Sequence, residues 1–506
     1  MAKTISEKSS TKATTKKRTV QKKTAKLPEI KVKTKKKIIF LASEAAPFIA
    51  TGGLADVLGS LPKALANDKN LDISVIIPLY SSIKPEFRSK FKFLTNFNVS
   101  VSWRYQYCGV LYYEHEGVKF YFIDNEYYFK REGNIYGFYD DAERFAFFSR
   151  AALDTIARLD IYPDVLHCND WQTASSIIYL KGMYYADESF RKIKTVFTIH
   201  NIEYQGNFGM ECYDDLFGFP ESIKSFVEFN GCVNLMKGAI EMTDIVSTVS
   251  PTYAEEIKNP FFAHDLEGII NRNAHKLYGI LNGIDVDYYN PSNDKFIFSN
   301  YSSDDLSGKA ICKSELQKML NLPVREDVPV IALISRLVSH KGLDLLKEVI
   351  KELLINDVQV VILGKGETSY ENFFLDVASQ YQGKCVTIIA YNQDLSRKIY
   401  SGADLFLMPS KMEPCGLSQM IASRYGTVPI VRETGGLNDS IKAWTGEKGN
   451  GFTFHDYNAH DMLYVINEAI RLYKDKTVWK KLQNIVINTD FSWDGLANKY
   501  KELYNK

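Results

Sequence analysis

The feature that most constrains the fold of this chain is a buried strand that runs through a short turn into a helix. The apolar run at residues 404–408 predicts the strand, and Leu417, Met420 and Ile421 recur at helical spacing after it. Pro414 is predicted in the first turn of that helix, where a missing N–H costs little. Glu413 then lies at the carboxyl end of the strand, where open α/β sheets bind ligands.

The same unit of strand, turn and helix recurs along the chain. In the first half, strands are predicted at residues 37–44, 72–78, 164–171, 195–201, 244–250 and 278–283, with antiparallel strands over 98–125. In the second half they are predicted at residues 328–337, 358–363, 386–391, 404–408 and 427–431, and residues 283–327 are predicted to be the crossing between lobes. Because 506 residues exceed one ordinary core, we predict an α/β fold of two Rossmann-like, doubly wound lobes.

The charge of the chain is unevenly distributed. The net charge is +1, but residues 1–37 carry 13 Lys and 1 Arg against Glu7 and Glu29, which leaves about −11 for the remainder. Residues 1–36 are therefore predicted to be a disordered Lys-rich tail. A polyanion-binding arm and a targeting peptide are alternatives to a dispensable tail. The acidic remainder argues against nucleic acid as a partner.

Several classes of protein are disfavoured by composition. No apolar run reaches the ~18–20 residues of a bilayer span, so no membrane association is expected. The seven cysteines form no CxxC pair, which favours a reducing compartment and argues against a disulfide framework or structural zinc. The sequence also lacks the HExxH, EF-hand, Walker A and GxGxxG patterns. A metal enzyme, an NTPase and an NAD dehydrogenase are therefore all disfavoured.

Polar residues follow most of the predicted strands of the first half. Carboxyl ends of parallel strands share one edge of a sheet, so these residues predict a binding edge. They are Glu44, Asn169, Asp170, His200, Asn201 and Asn282. A tetrapeptide also occurs twice, as Thr51–Leu54 and as Thr434–Leu437, each followed two residues later by Asp (Asp56 and Asp439). The repeat predicts two lobes that face each other across a cleft.

Arg336 and Lys341 flank the turn after the first strand of the second half. With the backbone N–H groups of Gly435 and Gly436, they are predicted to neutralise a diphosphate leaving group. Tyr391 follows another strand and is either a stacking platform for a base or a core aromatic. His200 is either a buried structural histidine or a residue of the site.

Together these motifs resemble those of bacterial glycogen synthase and plant starch synthase. The resemblance runs from about residue 37 to the C-terminus and is carried by Glu44, Thr51–Val57, His200–Gly206, Ser335–Leu337, Lys341–Asp344, Glu413–Leu417 and Thr434–Leu437. It implies a GT-B fold with an interlobe active site, comprising residues 37–282 as the acceptor lobe, 283–490 as the nucleotide-sugar lobe, and 491–506 as a helix crossing back to the first lobe.

The resemblance also implies an activity and its residues. The activity is transfer of glucose from ADP-glucose to the non-reducing end of an α-1,4-glucan, with retention and without a metal or other cofactor. The implied catalytic residues are Glu413, His200, Arg336 and Lys341. The implied donor-binding residues are Thr51, Gly52, Gly53, Arg336, Lys341, Tyr391, Thr434, Gly435, Gly436 and Leu437. The implied sugar and acceptor residues are Glu44, Asp56, Asp170, Asn201, Asn282, Cys415 and Gly416. The expected location is the cytoplasm, or a plastid if the head is a transit peptide.

The sequence departs from the family pattern at two positions. Ala50 stands where the family has Lys before Thr-Gly-Gly-Leu, which leaves the choice between ADP-glucose and UDP-glucose open. Ile421 stands where broader retaining GT-B enzymes often carry a second Glu, which favours the synthase branch. A transferase for a small acceptor and an inactive glucan-binding protein are the alternatives. Whether Glu413 is a nucleophile or an electrostatic stabiliser stays open at this stage, as does the oligomeric state.

Overall fold

Two sheets, one parallel and one mostly parallel, form the centres of two lobes in the computed structural model, which describes residues 35–506. The predicted tail, residues 1–36, lies outside the described residues apart from Lys35 and Lys36. Lys36 is already the first residue of a strand, because its backbone joins the register of the first sheet beside Leu71.

Twelve strands belong to the first lobe: β1 (Lys36–Leu41), β2 (Leu71–Pro78), β3 (Lys92–Val101), β4 (Arg104–His115), β5 (Val118–Asp124), β6 (Val165–Asn169), β7 (Lys194–Ile199), β8 (Asn207–Gly209), β9 (Glu228–Phe229), β10 (Cys232–Asn234), β11 (Ile245–Thr248) and β12 (Leu277–Gly279). The second lobe contains β13 (Val330–Ile334), β14 (Gln359–Gly364), β15 (Cys385–Ile389), β16 (Leu405–Met408), β17 (Val428–Arg432) and β18 (Phe452–Phe454).

Both large sheets have the strand order of a doubly wound fold. The six strands of the second lobe run in the order β15-β14-β13-β16-β17-β18, all parallel. The nine-stranded sheet runs β12-β11-β7-β6-β1-β2-β5-β4-β3, with parallel strands as far as β5 and the antiparallel pair β4 and β3 at its edge. The order of strands therefore reverses between β1 and β6 and between β13 and β16, and ligands bind at such switch points. The predicted fold class is confirmed.

Helices cover the faces of these sheets. In the first lobe they are α1 (Gly53–Ala66), α2 (Pro85–Arg88), α3 (Glu126–Phe129), α4 (Asp141–Arg158), α5 (Trp171–Gly182), α6 (Glu188–Arg191), α7 (Lys224–Val227), α8 (Leu235–Met242), α9 (Pro251–Glu256), α10 (Pro260–Ala263) and α11 (Glu267–Arg272). They continue as α12 (Ser307–Met319), α13 (Leu343–Leu353), α14 (Thr368–Gln380), α15 (Gln393–Gly402), α16 (Ser418–Arg424), α17 (Gly435–Ser440), α18 (Ala459–Lys474), α19 (Lys476–Asn488) and α20 (Trp493–Asn505). Within residues 35–506 no helix combines the length and the apolar character that a bilayer crossing needs.

Three local features differ from the sequence predictions. Residues 283–327, predicted to be only a crossing between lobes, contain the helix α12. Its apolar periodicity is hard to recognise in the sequence because two of its buried positions are Lys309 and Lys313, which donate to main-chain carbonyls. Pro414 precedes its helix instead of lying in the first turn, since α16 begins at Ser418. The short strand β18 was not predicted from the sequence.

The chain passes between the lobes at two adjacent places. It leaves the first lobe after β12, and it returns ahead of α20, whose Trp493 indole donates to Ser60 Oγ of α1 at 2.7 Å. The two passages touch each other, because the Ile284 N–H donates to the carbonyl of Phe491 at 2.9 Å. A Cβ on Gly283 would lie 3.0 Å from the carbonyl oxygens of Phe491 and Ser492, so glycine permits this close approach.

A second contact between the lobes is an exchange of carboxylates between α9 and α17, which we call the interlobe clasp (Thr252, Glu256, Gly435 and Asp439). Glu256 Oε1, at the end of α9, accepts from the N–H of Gly435 at 2.9 Å. Asp439 Oδ2, on α17, accepts from the N–H of Thr252 at 2.8 Å. Each carboxylate thus satisfies a first-turn N–H of the other helix, where negative charge is stabilising.

Replacing one clasp carboxylate should loosen the contact between the lobes. We expect Glu256→Gln to lower the free energy of unfolding by about 1–3 kcal/mol, because a hydrogen bond to a charged acceptor becomes a neutral one, and to increase the radius of gyration. Thermal unfolding and small-angle X-ray scattering measure the two effects. Glu255→Gln is the matched control, since the neighbouring Glu255 side chain is 73% exposed. Equal unfolding temperatures and scattering for the two variants would contradict the clasp.

Candidate active site

A cleft of about 1180 Å³ lies between the two lobes, at the carboxyl ends of their strands. Segments that follow β1, β6, β7, β13, β15 and β16 form much of its lining, and four of these strands, β1, β6, β13 and β16, border the two switch points. The first lobe contributes Glu44, Ala50–Asp56, Asp170, His200, Asn201 and Asn282, and the second contributes Arg336, Lys341, Tyr391 and Glu413–Leu417. The site predicted from separate strand ends is thus brought together in one cleft, apart from Thr434–Leu437.

Glu413 is held in a buried ion pair with Lys341. Lys341 Nζ lies 2.9 Å from Oε1 and 2.7 Å from Oε2 of Glu413, and Ser410 Oγ donates to Oε2 at 2.8 Å. The side chain of Glu413 is 8% exposed and that of Lys341 18%. Both carboxylate oxygens of Glu413 therefore have donors, which holds the side chain in one position in the turn after β16.

Two residues on the side of the second lobe are open to a ligand. Arg336 is exposed at the cleft, and its guanidinium makes no ion pair with any residue between 35 and 506. Tyr391 follows β15, and 70% of its surface is exposed, so it is not a core aromatic. Lys365, directly after β14, also lines the cleft, although the sequence analysis did not select it. The sequence signal that could have identified Lys365 is its position directly after a predicted strand.

Three carboxylates line the first-lobe side of the cleft: Glu44 is buried, and Asp56 and Asp170 are half-buried. Glu44 accepts from the N–H and the hydroxyl of Thr51 at 2.5 and 2.9 Å. Asp170 accepts from the N–H of His200 at 2.7 Å and adopts a left-handed φ of 57°, a conformation that costs ~1–3 kcal/mol and often marks functional turns. Burial raises the pKa of Glu44 and of Asp170 to about 7 and that of Asp56 to about 6. Unlike Glu413, none of the three carboxylates is paired with a cation within the described chain.

His200 lies beside these carboxylates, and Asn201 and Asn282 lie further along the same lobe edge. The ring Nε2 of His200 is 2.9 Å from Asn169 Oδ1, and burial lowers the pKa of His200 to about 3. Asn201 Oδ1 accepts from the N–H of Glu203. Asn282 is buried and contacts the thiol of Cys415, which lies in the other lobe.

The two copies of Thr-Gly-Gly-Leu have different surroundings. Thr51, Gly52 and Gly53 are exposed in the cleft, and a Cβ on Gly52 would meet no atom within 4 Å. Gly53 also begins the 14-residue helix α1, so first-turn N–H groups are available there for an anion.

The second copy is buried behind the Glu413 turn and is not exposed at the cleft, unlike the first copy. Thr434, Gly435, Gly436 and Leu437 do not line the cleft. The N–H of Gly435 is bound by Glu256, and that of Gly436 donates to the carbonyl of Glu413 at 3.1 Å. A Cβ on Gly436 would lie 2.2 Å from the carbonyl oxygen of Cys415. These glycines are therefore required for packing and offer no free amide to a phosphate.

Known proteins match the chain over nearly all of the described residues. Residues 37–272 match the model of the starch synthase catalytic domain, and residues 317–485 match that of glycosyl transferases group 1. The glycogen synthase of Clostridium novyi (strain NT) is 50% identical over 474 residues, which cover 92% of this chain and 98% of the relative. The chain belongs to the glycogen and starch synthase family. The predicted family and class of enzyme are thereby confirmed.

Other comparisons agree with this family. The glycogen synthase of Desulforamulus reducens is 47% identical over 93% of this chain and 98% of the relative. The catalytic domain of starch synthase IV from Arabidopsis thaliana, solved with ADP and acarbose bound, superposes with a TM-score of 0.87 at 34% identity and covers 93% of this chain and 99% of that one. A sucrose-phosphate synthase from Thermosynechococcus elongatus, at 16% identity and a TM-score of 0.59, shares the fold alone.

The two glycine turns should respond differently to the same substitution. Gly436→Ala should lower the free energy of unfolding by several kcal/mol, about 2 or more, because its methyl group overlaps the turn at Cys415. Gly52→Ala should change it by less than ~0.5 kcal/mol, because Gly52 has open space and an extended backbone, with φ of −166°. Denaturant unfolding measures both values, and similar losses in the two variants would refute the assignment.

Glu44 provides a test based on pH. Because burial raises its pKa from 4.5 to about 7, the folded protein binds a proton that the unfolded chain has lost, and Glu44 reduces stability as the pH rises between these values. The stability of Glu44→Gln relative to the parent protein should therefore increase from pH 4.5 to pH 7 and then stay level, by about 1–3 kcal/mol in total. The exposed Glu86→Gln is the control, and a difference independent of pH would contradict the assignment.

Proposed function

We propose that this protein transfers glucose from ADP-glucose to the 4-hydroxyl at the non-reducing end of an α-1,4-glucan, with retention of anomeric configuration. The observation that carries the proposal is the Glu413–Lys341 pair, which faces His200 and Asp170 across one cleft between two Rossmann-like lobes. The starch synthase IV structure, which holds ADP and acarbose, supports both ligand classes for such a cleft.

The donor diphosphate is assigned to the cations and free amides of the cleft. Arg336 has no carboxylate partner in the described chain and is able to bind two phosphate oxygens at once. The N-terminus of α1 at Gly52 and Gly53 supplies N–H groups from the opposite lobe. Lys341, whose ammonium group pairs with Glu413, is proposed to contact the phosphate next to the sugar. Tyr391, which is exposed at the cleft, is proposed to stack on the base.

The reaction is proposed to proceed on one face of the sugar. The bond from the anomeric carbon to the phosphate oxygen breaks, the 4-hydroxyl oxygen of the glucan bonds to that carbon from the same side, and its proton moves to the departing phosphate. Glu413 stabilises the positive charge that develops on the sugar ring. Its two oxygens are already engaged by Lys341 and Ser410, which favours this electrostatic role over that of a nucleophile.

Donor identity, metal use and cellular location stay parts of the proposal. Ala50 lines the cleft where the family pattern has Lys, so we propose ADP-glucose as the main donor and UDP-glucose as an alternative to be tested. We propose that phosphate charge is balanced by Arg336, Lys341 and backbone amides without a metal. Within residues 35–506, no group of three or more His, Cys, Asp or Glu side chains is arranged to hold a metal ion. A cytoplasmic location is proposed by analogy with the bacterial relatives.

Neutralising Glu413 tests the mechanism. We expect Glu413→Gln to lower kcat for transfer of labelled glucose from ADP-glucose to glycogen by about 10²–10³-fold, because it removes the charge that stabilises the transition state. The control is Glu433→Gln, since Glu433 follows the adjacent strand β17, bonds Thr453 and does not line the cleft.

Three outcomes would contradict parts of the proposal. Full activity in Glu413→Gln would refute the role of Glu413, and inversion at the anomeric carbon would refute the one-face reaction. Glucan binding without transfer from either ADP-glucose or UDP-glucose would refute the transferase itself.

A further inference from the structure

Asn169, the last residue of β6, is a buried amide whose orientation is determined by its neighbours. It is 2% exposed. Its Nδ2 group lies 3.0 Å from the carbonyl oxygen of Leu41 and 3.3 Å from that of His167. Both neighbours are main-chain acceptors that have no proton to donate, so the atom facing them must be the amide nitrogen. The amide oxygen then points the other way.

That amide oxygen determines which ring nitrogen of His200 carries the proton. Asn169 Oδ1 lies 2.9 Å from His200 Nε2. Because Oδ1 only accepts, Nε2 must donate, and a neutral ring with its proton on Nε2 has a lone pair on Nδ1. Burial keeps the ring neutral, since the pKa of His200 is lowered to about 3. No other residue of the described chain bonds the His200 ring, so Nδ1 is left as an acceptor at the cleft.

We propose that Asn169 is a positioning residue that fixes the Nε2–H tautomer of His200, so that Nδ1 accepts a hydrogen bond from one hydroxyl of the bound glucosyl unit. The inference rests on the proposed function for the identity of the ligand, but the tautomer belongs to the ligand-free protein. In this arrangement Nδ1 of His200 accepts a hydrogen bond from a sugar hydroxyl and so distinguishes sugars that carry it from sugars that lack it. A sugar lacking that hydroxyl would leave Nδ1 without a partner, and such losses are a strong source of discrimination.

The tautomer is measured first, in the full-length protein without ligand. Two-bond ¹⁵N–¹H correlation spectra of histidine-labelled protein distinguish Nε2–H from Nδ1–H, and His200→Gln assigns the signal among the eight histidines. We expect His200 to be neutral and Nε2-protonated at pH 7. Asn169→Leu, which removes the acceptor, should give a mixture of tautomers, whereas Asn273→Leu, at a buried amide outside the cleft, should not. An Nδ1–H signal in the parent protein would overturn the proposal even if the variants fail to fold.

The hydroxyl is then identified with a series of ADP-deoxyglucose donors, each lacking one hydroxyl. In the parent protein one donor should lose about 10-fold or more in kcat/KM because the lone pair of Nδ1 is left unpaired. In Asn169→Leu that loss should shrink at least threefold, while the losses for the other donors stay the same. Equal losses in both proteins for every donor would overturn the proposal. Failure of the proposed function would appear separately, as no transfer from any donor alongside an unchanged Nε2–H signal.

Discussion

The structure depends on one constraint, which is that the carboxyl-end edges of its two sheets face each other. A parallel sheet gathers all of its carboxyl-end turns along one edge, and in this chain two such edges are held opposite each other by the exchange of carboxylates between α9 and α17. The contact is polar and directional, because each acid satisfies a particular N–H group. It therefore sets the relative positions of turns that are far apart in the sequence, including those of Glu413 and His200.

The electrostatics of the cleft differ between its two sides. On the second lobe, Lys341 and Glu413 neutralise each other, and Arg336 makes no ion pair within residues 35–506. On the first lobe, Glu44 and the half-buried Asp170 pair with no cation of residues 35–506 and have raised pKa values, while His200 is neutral. The second-lobe side therefore matches the phosphate end of the proposed donor, and the first-lobe side matches its uncharged hydroxyl groups. One cleft is thereby suited to a ligand that is anionic at one end and polar but neutral at the other.

Much of this arrangement could be predicted from the sequence, because strand ends and glycine turns are local signals. Glu44, Asp170, His200, Arg336 and Glu413 each follow a recognisable strand and therefore reach the same edges. The bond between Lys341 and Glu413 spans 72 positions and has no local signal. The two identical tetrapeptides also could not be told apart from sequence alone. Nothing local to Thr434–Leu437 reveals that the N–H of Gly435 already donates to Glu256. The helix α12 was missed because the partners of its buried lysines, main-chain carbonyls and the Asp404 carboxylate among them, come from elsewhere in the fold.

The two passages of the chain between the lobes have a mechanical consequence. Because Ile284 and Phe491 are hydrogen-bonded side by side, both covalent connections lie along one short line. Two bodies joined in this way share one pivot, so a rotation of one lobe about that line would change the width of the cleft while the strand-end turns within each lobe keep their relative positions.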